Sequence, residues 1–375
     1  MNKKCGNCRV CDAYALNYDE SSKNKKKKLE LLFSGYQVSD FIKADNPYHY
    51  RHKVIASFKY QNRRVVAGIY EENSHNVLDS SQCLIQDEIA NKIIKSIVQL
   101  ANKYRMEVYD EDRRKGLLRH VLIRTSQYTN EVLVCLILAT DKFASRKNFV
   151  KKLVELNPEI TTVTQSINNR RTSIVLGDKE KTIYGPGFIY DYLNGLKFKI
   201  SSKSFYQINP VQTEKLYDIA INFADLKADD VVLDAYSGIG TIGMIASKRG
   251  ISKVYSVELN KISSIMAKSN ARINNIDNIE IINADATKYI LKLADQKVKV
   301  DVVILDPTRS GTTVEFIQAV AKLKPKQVIY VSCNPETQLR DLKYFEKNYK
   351  VKTIVGVDLF PFTKHVETVV LMSRK

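Results

Sequence analysis

The chain has 375 residues, of which 44% are hydrophobic and 27% charged, with a formal net charge of +18 and a mean hydropathy of −0.27. That length predicts two or three domains. The absence of a long uncharged apolar window argues against a membrane span, and the absence of an N-terminal apolar h-region argues against a secretory signal, so a cytoplasmic chain is expected. Such a charge does not decide a fold, but it disfavours an enzyme of small neutral metabolites and points to a polyanionic partner.

Near the N-terminus, Cys5, Cys8 and Cys11 stand at two-residue spacing. Thiols so placed can converge on one metal, whereas adjacent disulfides would be strained. Cubane iron–sulfur ligation with Cys83 as fourth ligand is the leading expectation, with zinc and unliganded thiols as alternatives. The basic run of Lys23 and Lys25 to Lys28 leads into an expected helix with one wet face, and such a run reads as solvated surface. Tyr48, His49, Tyr50, Arg51 and Lys53 then interleave aromatics with bases, a composition suited to stacking and phosphate contacts with unpaired RNA.

Strands are predicted at 53–60, 64–70 and 75–78, and a helix at 87–104, where Ile89, Ile93, Ile94, Ile97, Val98 and Ala101 recur at helical period. Further strands at 117–125 and 131–139, a helix near 147–156, and strands at 161–167, 174–176 and 181–184 give an α/β middle region. Cys135 and His120 lie in apolar strands and read as packed. From 196 onward, strands at 196–201, 231–233, 253–257, 279–282, 302–305, 327–332, 351–358 and 366–372 are expected. The helices between them fall near 213–223, 241–249, 261–273, 313–323 and 336–346. This alternation is that of a doubly wound, mostly parallel α/β sheet. The expected domains are 1–85 (cysteine cluster and small β-sheet), 86–196 (middle α/β) and 197–375 (doubly wound).

The stretch 231–243 organises that last domain. A strand reaches Asp234 and breaks into a turn holding Gly238, Gly240 and Gly243, where backbone can approach a ligand closely. Glu258 lies about 20 residues on, as in dinucleotide sites, but further acids, Asp285 and Asp306, follow the next strands. A ligand with ribose, adenine and a cationic centre suits them better than NAD does, so S-adenosylmethionine (SAM) is expected.

Two more loops leave late strand ends: 306–311, with Asp306 and Arg309, and 332–335, with Cys333 and Asn334. Glu367 opens the last strand, on the same side if that strand is antiparallel. A thiolate added to C6 of uracil makes C5 nucleophilic, and a base must later remove the C5 proton; Cys333 and Glu367 suit these two tasks.

These residues carry a resemblance. The chain resembles the bacterial RNA uracil-5-methyltransferase family over essentially its whole length. The family's S-C-N-P loop matches 332–335, and its H-x-E-T motif matches His365, Glu367 and Thr368. Its F-x-Q-x-N segment matches Phe205, Gln207 and Asn209, and its D-P-P-R-x-G motif matches 306–311 with Thr308 for the second proline. Its cofactor loop matches 234–240, with Ser237 where cysteine is common. The resemblance implies SAM contacts from Gln207, Tyr236, Glu258 and Asp306, beside Gly238, Gly240 and Asp285, which the turn and the strand-end acids themselves point to. It implies substrate contacts from Phe205, Asn209, Arg309 and Asn334, and a [4Fe-4S] cluster at Cys5, Cys8, Cys11 and Cys83. Members with a cluster and no N-terminal OB-like module act on 23S rRNA, which becomes the expected partner of a monomeric enzyme that binds neither DNA nor membrane. The alternatives are tRNA uracil-5-methylation, a non-catalytic RNA-binding protein, and RNA cytosine-5-methylation. Enzymes of this last kind carry a second cysteine in the loop that here reads Asp306-Pro-Thr-Arg309.

Overall fold

The computed structural model describes residues 11, 17–61, 63–72, 74–171 and 174–375. In chain order the elements are α1 (Tyr18–Leu32), β1 (Val38–Ile42), β2 (Lys53–Gln61), β3 (Arg64–Tyr70), β4 (Val77–Asp79), α2 (Glu88–Lys103), β5 (Leu118–Thr125) and β6 (Val132–Leu138). Next come α3 (Arg146–Leu156), β7 (Ile160–Ile167), β8 (Lys179–Tyr184), β9 (Ile189–Leu193), β10 (Leu196–Ile200), α4 (Pro210–Ala224), β11 (Val231–Ala235), α5 (Thr241–Ser247) and β12 (Lys253–Glu258). The last are α6 (Lys261–Ile273), β13 (Ile279–Asn283), α7 (Ala286–Asp295), β14 (Val302–Leu305), α8 (Val314–Leu323), β15 (Gln327–Ser332), α9 (Pro335–Phe345), β16 (Tyr349–Val357) and β17 (Glu367–Arg374). They fall into two compact units, one built mainly on Asn46–Tyr192, the other on Tyr18–Asp45, Leu193–Phe198 and Ser204–Lys375. No helix among the described residues is long and apolar enough to cross a membrane.

The first unit is a seven-stranded sheet in the order β4-β3-β2-β5-β6-β7-β8, antiparallel but for the β6/β7 pair. β5 and β6 are buried at every residue, as central strands are, and Ile93, Ile94 and Ile97 of α2 join Phe149 and Leu153 of α3 in its core. Cys135 is fully buried there, and the His120 ring bonds Ser57 Oγ through Nδ1 at 3.0 Å. Residues on either side of the expected boundary at 85 share this sheet, because β2 pairs with both β3 and β5. A separate cysteine-cluster β domain is therefore not what the backbone pairing builds.

The second unit is an eight-stranded sheet in the order β1-β16-β17-β15-β14-β11-β12-β13. Strand order reverses at β11, which pairs in parallel with β12 on one side and β14 on the other. In such sheets ligands sit beyond the carboxyl ends at the reversal. β17 runs antiparallel between β15 and β16, so its first residue, Glu367, stands at that same end. Besides β9, two elements, both in this unit, were not anticipated. α7 starts immediately after Asp285, and β1 adds in parallel to β16 with Phe41 opposite Gly356. Leu29 and Phe33 at the end of α1, and Phe41 of β1, join the core of this sheet beside Ile354 and Tyr349. Residues 18–45 thus belong with the C-terminal unit.

Candidate active site

After β11 the chain turns through Tyr236, Gly238 and Gly240, all at positive φ (61°, 57° and 83°). Asp234 is buried below this turn and accepts a hydrogen bond from the Gly243 amide through Oδ2 at 2.9 Å. A Cβ on Gly243 would lie 2.7 Å from that oxygen, so the third glycine is what lets α5 close onto the carboxylate. Burial pushes the Asp234 carboxyl up to about 8. Glu258, ending β12, is oriented by backbone: Gly238 N donates to Oε2 at 2.9 Å and Asn260 N to Oε1 at 2.5 Å. Each oxygen keeps a further lone pair for ligand hydroxyls. Asp285 caps α7, accepting from Lys288 N at 3.0 Å. The Tyr236 ring packs on Phe316, and its hydroxyl lies 2.9 Å from Thr312 Oγ1. Thr312 N in turn donates to Asp341 Oδ2, which also accepts from the Tyr330 hydroxyl at 2.7 Å.

These residues fit SAM. Among the described residues, Asp234 Oδ1 and Ser237 Oγ are buried polar atoms with no hydrogen-bond partner. Such atoms call for a donor or acceptor from outside the chain. Over Gly238 the space is open, with no atom within 4 Å of where a Cβ would stand. The open backbone, the carboxylates at successive strand ends and the unpartnered acceptor suit a ligand bearing hydroxyls and positive charge.

A second cluster lies at the ends of β14, β15 and β17. Asn334 Nδ2 donates to the Arg309 carbonyl at 2.9 Å and Thr337 Oγ1 does so at 3.2 Å, tying the 306–311 loop to the 332–335 loop. Arg309 Nη2 donates to His365 Nδ1 at 3.2 Å. Cys333 is half-buried. Desolvation, then the charges of Glu367 and Asp306, push its thiol up to about 11, while Arg309 acts the other way. Glu367 is 2% exposed and held well above the usual carboxylate range by burial and by Asp306, with Arg309 again opposing. Burial also pushes Asp306 up to about 7.

The structure thus brings Asp306, Arg309, Cys333, Asn334 and Glu367 together, and Tyr236, Gly238 and Glu258 into the glycine turn. Gln207 hydrogen-bonds Tyr217, a buried residue of α4 that also bonds Thr241 and lies in the field of Asp306 and Glu367. No sequence motif marks Tyr217; its only local signal is a place on the inner face of α4. Phe205 is 63% exposed beside these residues in sequence, and so available for stacking. Asn209 differs. It is buried, accepts from Gln212 N as the cap of α4, and donates through Nδ2 to the Leu359 carbonyl at 3.0 Å, so both ends of its amide serve the fold.

The metal expectation is overturned. Among the described residues no three His, Cys, Asp or Glu side chains gather so as to hold a metal ion. Cys5 and Cys8 lie outside the described residues, and Cys11 and Cys83 alone bring two thiols where a cubane takes four ligands. Neither the [4Fe-4S] cluster nor zinc at Cys5, Cys8, Cys11 and Cys83 is retained.

Comparison with known proteins agrees with the remaining geometry. A family model described as tRNA (Uracil-5-)-methyltransferase matches residues 17–375. An RNA methyltransferase of Oceanobacillus iheyensis is 37% identical over 98% of this chain and 82% of its own length. One from Fusobacterium nucleatum is 39% identical over 97% and 80%. The crystal structure of Pyrococcus abyssi tRNA (uracil-54, C5)-methyltransferase with S-adenosyl-L-homocysteine superposes with a TM-score of 0.78 at 26% identity, covering 95% of this chain and 84% of that one. With strand order, glycine turn and family match in accord, the chain belongs to the tRNA (uracil-5-)-methyltransferase family and is a SAM-dependent RNA (uracil-C5)-methyltransferase.

Proposed function

We propose that Cys333 is the nucleophile and Glu367 the base in 5-methylation of a uridine in tRNA. The observation that carries this reading is the register of β15 and β17: Ser332 stands opposite Thr368, so Cys333 and Glu367 flank one point at that end of the sheet, and the roles follow from the chemistry of a thiol and a carboxylate. The Cys333 thiol gives up its proton to solvent and its thiolate adds to C6 of the uracil, placing an electron pair on C5. When bound, SAM supplies the electrophilic methyl that C5 takes. Glu367 then accepts the C5 proton, the C5–C6 double bond re-forms, and the thiolate leaves. A base held above the ordinary carboxylate range is a stronger proton acceptor once ionised. Arg309 offsets the negative charge around both groups, and Phe205 offers a face for the unstacked base. Asp234, Tyr236, Gly238 and Glu258 hold the cofactor side.

For the RNA class, support lies in the names of the family model and of the Pyrococcus abyssi enzyme, both of which specify tRNA; nothing in the geometry favours the 23S rRNA expected from the sequence. The test is methyl transfer from labelled SAM to tRNA and to 23S rRNA transcripts, followed by nucleoside mass spectrometry. 5-Methyluridine in tRNA is expected, abolished by Cys333→Ala. Methylation of 23S rRNA alone overturns the tRNA assignment, and 5-methylcytidine overturns the chemistry.

A further inference from the structure

Of the lysines at 25–28, Lys25 is not on the surface. The buried face of α1 consists of Ser21, Ser22, Lys25 and Leu29, and Lys25 is 5% exposed. Its Nζ donates to Asp358 Oδ1 at 2.6 Å, to the Phe360 carbonyl at 2.8 Å and to the His365 carbonyl at 3.1 Å. Each of those bonds takes a donor N–H of the ammonium. All three acceptors lie at or within the ends of one segment, the 358–366 loop that joins β16 to β17 and delivers Glu367. The second oxygen of Asp358 accepts from the Tyr18 hydroxyl at 3.1 Å, and that hydroxyl accepts from Ala44 N at 2.6 Å. The Tyr18 ring meets Phe362 edge-on at 5.6 Å, and Phe362 itself sits at φ 63°, a conformation that persists only where surroundings impose it. From the other side, Gln212 Nε2 donates to the Asp358 carbonyl and Asn209 Nδ2 to the Leu359 carbonyl.

Leu29 and Phe33 already anchor α1 to the sheet through apolar contact. A buried ion pair adds little net stability over apolar packing, and this one joins α1 to a single loop. That loop carries His365, bonded to Arg309, and leads directly into Glu367. We propose that Lys25 is a positioning residue: from the N-terminal helix it fixes the 358–366 loop so that Glu367 meets the C5 proton. This rests on the reading of Glu367 as the base.

The experiment compares Lys25→Met, Tyr18→Phe and Glu367→Gln with the wild-type enzyme on two transcripts, one with uridine and one with 5-fluorouridine, of whichever RNA class accepts methyl. With fluorine at C5 there is no proton to remove, so methylated covalent adduct forms through Cys333 without the base. Lys25→Met is expected to bind SAM normally by calorimetry and to form the fluorinated adduct at the wild-type rate. On uridine RNA its turnover should fall by on the order of 10²-fold, as for a misplaced catalytic group, with methylated protein–RNA adduct accumulating on denaturing gels. Tyr18→Phe should shift the same two readouts less. Equal losses on both transcripts, or unchanged turnover on uridine RNA, overturn the proposal. If Lys25→Met does not fold, Tyr18→Phe decides by the same criteria. If Glu367→Gln traps adduct and the Lys25 and Tyr18 variants do not, the positioning role alone fails; if Glu367→Gln turns over normally, the base assignment fails and the proposal with it.

Discussion

Thr368 Oγ1 donates to Gln338 Oε1 at 2.6 Å and lies 3.3 Å from the Ser332 carbonyl, so one buried hydroxyl links the strand before Cys333 to the strand that begins with Glu367. Gln338 completes the link by donating to the Tyr330 carbonyl at 2.9 Å. Thr368→Val keeps the shape and strands the Gln338 carbonyl oxygen without a donor. A loss of about 1–3 kcal/mol is expected in denaturant unfolding, with a lower kcat and unchanged affinity for SAM. Wild-type stability in that variant would show that the link contributes nothing.

Cys333 is a poor thiolate in the free protein, since desolvation and neighbouring carboxylates push it up to about 11. Alkylation by iodoacetamide, mapped by peptide mass spectrometry, should be slow near neutrality and accelerate with each step of pH toward 10. Arg309→Ala removes a cation that favours the thiolate, so the rate at any given pH should fall further. Fast labelling near neutral pH would contradict the electrostatics of the site.

Asp234 makes stability depend on pH. Its folded carboxyl is raised to about 8, above an unfolded value of roughly 4. Its contribution is fully present below the unfolded value and is lost as pH rises through the folded one. Asp234→Asn can still accept from Gly243 N but carries no charge. Relative to wild type it should gain stability between pH 5 and 9 (roughly a few kcal/mol at most) while binding SAM more weakly. Parallel melting curves for the two proteins across that range would refute this.

Gly243→Ala tests the floor of the cofactor turn. The new methyl would stand 2.7 Å from Asp234 Oδ2 and 3.2 Å from Val254 Cγ1, and neither neighbour is the end of a long flexible chain. Overpacking of this kind costs about 1–3 kcal/mol. Because the displaced group is the carboxylate itself, SAM affinity measured by calorimetry should drop along with the melting temperature. An unaltered binding isotherm would show that the turn tolerates the shift.

The family and the reaction type were legible in the sequence because the motifs that point to them are local. The glycine turn after Asp234, the acids Glu258 and Asp306 at strand ends, and the Cys333 and Glu367 motifs each occupy a few contiguous residues, and their strands read as continuous apolar runs because parallel strands are covered on both faces. What lay beyond reach depended on contacts between distant segments. β1 joins the sheet by pairing Phe41 with Gly356, and nothing near residue 41 announces that partner. Asn209 sits inside a motif, yet its amide serves Leu359 and the cap of α4. Cysteines at suggestive spacing did not establish a metal site: among the described residues no three ligating side chains converge, and spacing alone does not supply that convergence. Lys25 shows the limit most plainly. In composition it is one lysine of a run, and only its helical phase with Ser21, Ser22 and Leu29 separates it from its neighbours. An ammonium can be buried only where acceptors surround it, and here Asp358, Phe360 and His365 arrive from the far end of the chain, so its place inside the protein was decided by the tertiary fold alone.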